Sequence, residues 1–331
     1  MTGRAWLTEA LATLPERDEA AYAAVTERAA NILRPAGALA RLDVVAAWVA
    51  SWQRTPSPAV QRPAALIFAA DHGVTAAGVS KYPTDVTAAM LAAYRAGKST
   101  INAFAAVAGA SVEAIDVGVG RPTGDIRTEP AMSAERFDEA VEAGRTAVEA
   151  LDADLLVLGE MGIGNTTAAA AVAAALGGGE VAAWVGRGTG VDDEGLSRKR
   201  EAVRAAVTRI VGVVDPLDVL REVGGTELVA MAAAMAAARH RQLPVVIDGY
   251  VVTAAAMALA FAVPSALDHC LVGHCSAEPG HRRLLERLGK APLLDLDMRL
   301  GEGSGAMAAV PLVAMACAGI TNVPTFGEWF G

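Results

Sequence analysis

Leu155-Leu156-Val157-Leu158-Gly159-Glu160-Met161-Gly162-Ile163-Gly164-Asn165-Thr166-Thr167 reads as a short buried strand, a glycine turn and the opening of a helix. The aliphatic run is unbroken by polar residues, as in a strand covered on both faces. Gly159, Gly162 and Gly164 let the backbone turn sharply and approach a ligand. Asn165 suits the N-cap of a helix over residues 166–176. Free N–H groups and the helix dipole at such a start attract an anion. The bland alternative is a plain strand–helix turn; the three glycines and adjacent polar groups favour a site.

The same pattern recurs on both sides of this stretch. Residues 64–70 form an apolar run that ends in Asp71-His72-Gly73. Residues 111–117 and 243–247 read as strands, and 181–185, 271–273 and 293–296 as shorter ones. Helical spacing covers residues 86–107, 134–150, 193–211, 227–239, 251–261 and 305–319. Pro279 suits a first helical position and Gly289 the matching C-terminal cap. Alternating strands and helices imply an α/β fold, a parallel sheet with helices on both faces. Ligands bind such sheets outside the carboxyl ends of the strands. Residues 19–32 and 42–52 are helical, and prolines 56, 58 and 63 mark the connection that follows. The expected division is residues 1–60 in a small helical lobe, 61–320 in the α/β catalytic domain, and 321–331 as a tail that joins the lobe.

Composition narrows the function. The 331 residues are 53% hydrophobic and 20% charged, enough to bury a large core. Lys plus Arg is 28 against 37 for Asp plus Glu, and no basic block appears, so nucleic acid is not an expected partner. Cys270, Cys275 and Cys317 are sparse and odd in number, which fits a reducing cytoplasm. The first 22 residues lack the apolar stretch of a signal peptide. The longest apolar run, residues 251–264, is short for a membrane span, and no membrane association is expected.

Further constellations carry possible chemistry. Gly186-Arg187-Gly188-Thr189-Gly190, followed by a helix with Lys199, could clamp a phosphate by charge-assisted bonds, or be a flexible loop with solvated charges. Glu302 lies between Gly301 and Gly303, where a carboxylate can approach a ligand without crowding, or stand as a solvated turn acid. His72 and Asp248 each follow a strand, and His72 reads first as a structural histidine. His269, Cys270, His274, Cys275 and His281 match no zinc spacing, and no metal is expected. Gly97-Lys98-Ser99-Thr100 imitates a P-loop, but Ala92 stands where its first glycine belongs and helix precedes it.

Taken in order, AADHGV at 69–74, GVSKYP at 78–83, GEMGIGNTT at 159–167, GRGTGVDDEGL at 186–196, HCSAEPGH at 274–281 and MRLGEGSGA at 298–306 resemble nicotinate-nucleotide–dimethylbenzimidazole phosphoribosyltransferases of cobalamin lower-ligand assembly. The resemblance spans about residues 64–328. It implies a Rossmann-like parallel sheet with a small helical lobe, a homodimer, and no cofactor. The implied reaction takes nicotinate mononucleotide and 5,6-dimethylbenzimidazole to α-ribazole 5′-phosphate and nicotinate. Glu302 falls on the family's general base, and Glu160 and Lys199 on further active-site positions. Gly162, Gly249, Ser276, Leu300 and Gly301 fall near the nucleotide or product. Ser80, Tyr82, Met90 and Met161 fall on the base-binding side. Ala70 stands where the family often has glycine. Transfer to a purine or phenolic acceptor, or nucleotide binding without catalysis, are the competing readings.

Overall fold

The computed structural model describes residues 1–331. Three helices lead, α1 (Gly3–Ala12), α2 (Glu19–Asn31) and α3 (Ala40–Gln53). Then follow β1 (Pro63–Ala70), α4 (Asp85–Arg95), α5 (Thr100–Ala108), β2 (Ser111–Gly118), α6 (Ala134–Glu149), β3 (Leu155–Met161) and α7 (Asn165–Gly177). Three helices, α8 (Asp193–Arg209), α9 (Pro216–Val223) and α10 (Thr226–His240), precede β4 (Val245–Ile247). The chain closes with α11 (Tyr250–Ala262), β5 (Cys270–Val272), β6 (His274–Cys275), α12 (Pro279–Leu288), β7 (Leu294–Asp295), α13 (Ser304–Thr321) and α14 (Phe326–Phe330).

Five strands form one parallel sheet in the order β2-β1-β3-β4-β5, and β6 and β7 form a separate parallel pair. The strand order reverses between β1 and β3, the place where open α/β sheets bind ligands. In β1, Leu66, Phe68 and Ala70 enter one core while Ala65, Ile67 and Ala69 enter the other. In β3, Leu156 and Leu158 face the first core and Leu155 and Val157 the second. That period of two is why both strands read as continuous apolar runs. The α/β expectation of a parallel sheet covered on both faces holds.

Alanine decides how closely the covering helices pack. Every residue of α10 but His240 is buried, and α7 and α11 are nearly as enclosed. α13 has the length and hydropathy of a membrane span, yet it packs against α3 and α5. On that side the Arg28 guanidinium of α2 donates to the carbonyls of Ile320 and Val323 and pairs with Glu328 of α14. α1 lies on the opposite face, with Leu7 and Leu11 in the core shared by α6 and α10. The first 60 residues are therefore divided between the two faces rather than gathered in one lobe.

Two element expectations need correction. Residues 86–107 are two helices, because α4 ends before Gly97 at φ 70 and α5 starts afresh at a Ser99–Asn102 capping box. Residues 181–185 are no strand: Val181–Ala183 make a 3-10 turn, and Trp184 Nε1 donates to the Gly178 carbonyl at 2.9 Å. Elsewhere Pro279 opens α12 and Gly289 closes it at φ 61, as read.

Candidate active site

A cleft opens at the carboxyl end of the sheet. The turn after β3 makes one wall, and residues 187–191, the start of α11 and residues 299–301 make the others. Gly164 at φ 95 is the N-cap of α7, not Asn165. Asn165 is the first helical residue, and its Nδ2 reaches back to donate to Glu160 Oε2. The amides of Asn165 and Thr167 donate to the carbonyls of Gly162 and Gly164, and that of Ile163 donates to Thr87 Oγ1. The turn thus satisfies several of its own amides and has fewer free for an anion than the sequence suggests. His72 braces the turn from behind. It is fully buried, with Nε2 2.7 Å from Glu227 Oε1, and it reads as structural.

Glu160 extends from the end of β3 into the cleft. Burial, then the charges of Asp248 and Glu227, push its carboxyl up to about 8, while Asn165 opposes the shift. Near neutral pH it is mainly protonated and can donate as well as accept. Its Oε1 lies against Gly301, where an added Cβ would meet it at 2.6 Å.

Lys199 of α8 stands across the cleft, 1% exposed, and its Nζ donates to Thr166 Oγ1 at 2.9 Å. Burial lowers its ammonium to about 8, and Glu278 holds it up. A buried ammonium with one hydroxyl partner has donors to spare for an anion. Gly188 covers it, and the Gly188 amide donates to Glu278 Oε1 at 2.7 Å. Thr189 lines the same wall. Arg187 is half exposed and tied to its own loop by the Val191 carbonyl and Asp193. Gly249 and Ser276 form the floor. His281 positions Ser276, its Nδ1 accepting from the Ser276 amide at 2.9 Å; burial, then the charge of His274, push its imidazole down to about 3, so it stays neutral.

Glu302 sits behind the wall made by Leu300 and Gly301, not on the cleft surface itself. It is 6% exposed and holds φ 64, between Gly301 at φ 85 and Gly303 at φ 79. For a side-chain-bearing residue that conformation costs about 1–2 kcal/mol. Gly159 makes room for the turn, since a Cβ there would meet Gly303 N at 2.5 Å. Burial raises the Glu302 carboxyl; Tyr94 and the Ile101 backbone lower it, and the Asp248 charge raises it. Tyr94 faces the carboxylate without a hydrogen bond of full geometry: Tyr94 Oη and Glu302 Oε2 are both buried without a partner.

The expected base side divides. Ser80 and Met161 line the cleft. Met90 lies one helical turn before Tyr94 on α4, on the face that looks toward Glu302. Tyr82 is 44% exposed and outside the cleft. The sequence reading assigned no role to Arg299, Glu278, His274 or Tyr250, which line the cleft. Tyr250 and Glu278 open helices just past strands, a signal available in the sequence. Arg299 lies in the motif at 298–306 without a local signal of its own.

A family model described as phosphoribosyltransferase matches residues 14–329. The nicotinate-nucleotide–dimethylbenzimidazole phosphoribosyltransferase of Methylorubrum extorquens is 47% identical over 318 residues, 96% of this chain and 93% of that protein. The same-named protein of Methylocella silvestris is 50% identical over 316 residues, 95% of this chain and 92% of its own. The crystal structure of the Thermus thermophilus protein of that name superposes with TM-score 0.89 at 42% identity, covering 95% of this chain and 98% of the other. With this identity extending over nearly the whole chain, the chain belongs to the nicotinate-nucleotide–dimethylbenzimidazole phosphoribosyltransferase family.

Proposed function

We propose that this phosphoribosyltransferase moves the 5-phosphoribosyl group of nicotinate mononucleotide to 5,6-dimethylbenzimidazole, giving α-ribazole 5′-phosphate and nicotinate. The observation that carries the reading is the Glu302 carboxylate. It is buried, raised above the ordinary glutamate range, fixed in a left-handed turn and left with one free oxygen. A carboxylate so placed suits a general base working near neutral pH.

The donor's leaving group is a pyridinium, so the bonding pair goes to its ring nitrogen and nicotinate departs with that nitrogen uncharged. Positive charge then gathers on the ribose. The buried Glu302 carboxylate, already oriented by its turn, stabilises that charge without reorganising. One nitrogen of the benzimidazole forms the new C–N bond, and Glu302 takes the proton from the other. Attack opposite the departing nicotinate turns a β-nucleotide into an α-nucleotide. Lys199, Thr166 and the Gly188 turn are assigned to the phosphate, supported by the spare donors of the buried ammonium. Glu160, neutral near pH 7, is assigned a donor role at the ribose beside Gly162 and Gly301. Met90, Met161 and Ser80 are assigned to the acceptor base. The chain is proposed to work as a cytoplasmic homodimer without a cofactor, supported by its three unpaired cysteines and by the exposed aromatics of α14.

Product analysis with nicotinate mononucleotide tests this reading. α-Ribazole 5′-phosphate should form only with dimethylbenzimidazole present, and Glu302→Gln should slow its formation at least about tenfold, a floor set below the roughly 10²–10⁴-fold that general-base catalysis contributes. Nicotinate release without an acceptor would show a hydrolase, and faster turnover with a purine or phenol would move the acceptor. Near-normal turnover of Glu302→Gln would remove Glu302 from the base role.

A further inference from the structure

Asp248 directly follows β4, is 1% exposed, and holds the turn that carries Glu302. Its Oδ2 accepts from the Gly303 amide at 3.2 Å, and its Oδ1 accepts from the Ala306 amide at 2.8 Å. His274 Nε2 lies 3.3 Å from the same Oδ1 and limits its freedom. Gly303 directly follows Glu302, and Ala306 is the third residue of α13. The carboxylate therefore caps α13 from a neighbouring strand, where amides lack helical partners. Gly303 has no side chain to do so, and α13 has no side-chain cap of its own. Of the three successive left-handed residues at 301–303, Glu302 alone bears a conformational cost, and the Ser304 amide and hydroxyl close the turn by donating to the Gly301 carbonyl while Asp248 holds its far side.

We propose that Asp248 is a positioning residue for the transfer reaction, acting through Glu302: its two oxygens fix the turn on the C-terminal side of Glu302, and its charge faces the Glu302 carboxylate. The proposal rests on the reading of Glu302 as the base. The groups that face Glu302 are Tyr94 from α4, the Ile101 amide from α5, Glu160 from the end of β3 and Asp248 from the end of β4. Of these, Asp248 is the acid whose charge raises the Glu302 carboxyl, while Tyr94 and Ile101 lower it. One side chain thus fixes the turn beside the proton acceptor and adds to the burial that raises its carboxyl.

Asp248→Asn keeps the size and removes the charge. The expected result is a kcat at least about tenfold lower with a KM for nicotinate mononucleotide within about threefold of the parent. The acid limb of the kcat–pH profile should also move to lower pH, because a charge that opposed Glu302 ionisation is gone. A residue that only braced the fold would lower kcat or Tm and leave that limb in place. An unmoved limb, or an unchanged kcat, overturns the proposal. If the asparagine variant does not melt cooperatively, Asp248→Ser gives the same readings, since its hydroxyl can still accept one amide. Combining Asp248→Asn with Glu302→Gln separates this idea from its parent. No further loss in the double variant supports action through Glu302. A further tenfold loss overturns the positioning role and leaves the base reading standing. Near-normal turnover of Glu302→Gln alone overturns both.

Discussion

Glu160 and Lys199 both titrate near pH 8, from opposite directions. Burial favours the neutral form of each, so the carboxyl rises and the ammonium falls. The kinetic consequence is an alkaline limb: above about pH 8 the site loses the Glu160 proton and the Lys199 charge together. Glu160→Gln supplies a permanent neutral donor whose carbonyl can still accept from Asn165. We expect it to retain turnover at pH 7 within about tenfold of the parent and to lose less between pH 7 and 9, whereas Glu160→Ala should be slow throughout. A glutamine variant as slow as the alanine variant at every pH would mean that the ionised form is required. Stability follows with the opposite emphasis. The folded-state pKa of Glu160 is raised from 4.5 to about 8, so its contribution to stability is fully present below the unfolded value and is lost as pH rises through about 8. Thermal melting of the ligand-free protein between pH 5 and 8 should therefore decline less in Glu160→Gln. At this scale the sequence announced Glu302, because glycines on both sides mark a carboxylate held close to backbone. It marked Asp248 only as a residue following a strand and did not announce Tyr94; the two reach Glu302 from the end of β4 and from α4. Proximity of that kind is created by the sheet order, and no local spacing encodes it.

Gly159 shows the same logic between elements. It belongs to β3, and the peptide joining Glu302 to Gly303 lies directly over it. An added Cβ would stand 2.5 Å from Gly303 N and 2.6 Å from Glu302 C, both backbone atoms that cannot swing aside. Gly159→Ala should therefore displace the turn and lower turnover at least about tenfold, with a lower Tm, while nicotinate mononucleotide still binds through Lys199 and Thr166. Normal turnover in that variant would show that the turn tolerates movement and that the position of Glu302 is not set by β3. The elements themselves were legible where apolar periodicity was long and their ends were chemically marked. α6, β3, α7 and α12 follow their spacing and, for α12, its Pro279 and Gly289. Residues 181–185 misled because a short apolar run around a buried Trp184 suits a strand or a tight turn equally. α9 went unread although Asp215 caps it and Pro216 opens it, a clear start signal on a helix of only eight residues.

Seen whole, the chain has its most exposed aromatics at one end. Phe326, Trp329 and Phe330 of the short α14 are 48%, 63% and 74% exposed, and the rings of Phe326 and Phe330 stack. α14 is anchored to α2 through Arg28 and Glu328, and residues 32 and 325 form an isolated bridge, so these rings are held at the surface and not merely trailing. Met315 of the neighbouring α13 is also exposed, at 55%. Held apolar groups of this size at a surface commonly mark association, and aromatics are enriched at the cores of such interfaces. A second copy of the chain is the simplest partner, because a two-fold contact buries the same patch twice. Light scattering should then report about twice the 33.8 kDa chain mass, and Trp329→Glu combined with Phe330→Glu should move the population toward the monomer with the far-UV signal of the fold retained. A parent protein that stays monomeric at tens of micromolar would remove the homodimer from the proposed function. A dimer unaffected by the double substitution would keep the assembly and place its interface away from α14. Turnover measured on the same samples carries the test to the site: activity that falls in step with the dimer would mean that each cleft needs its neighbour, and activity that persists in the monomer would confine the chemistry to the sheet ends of a single chain.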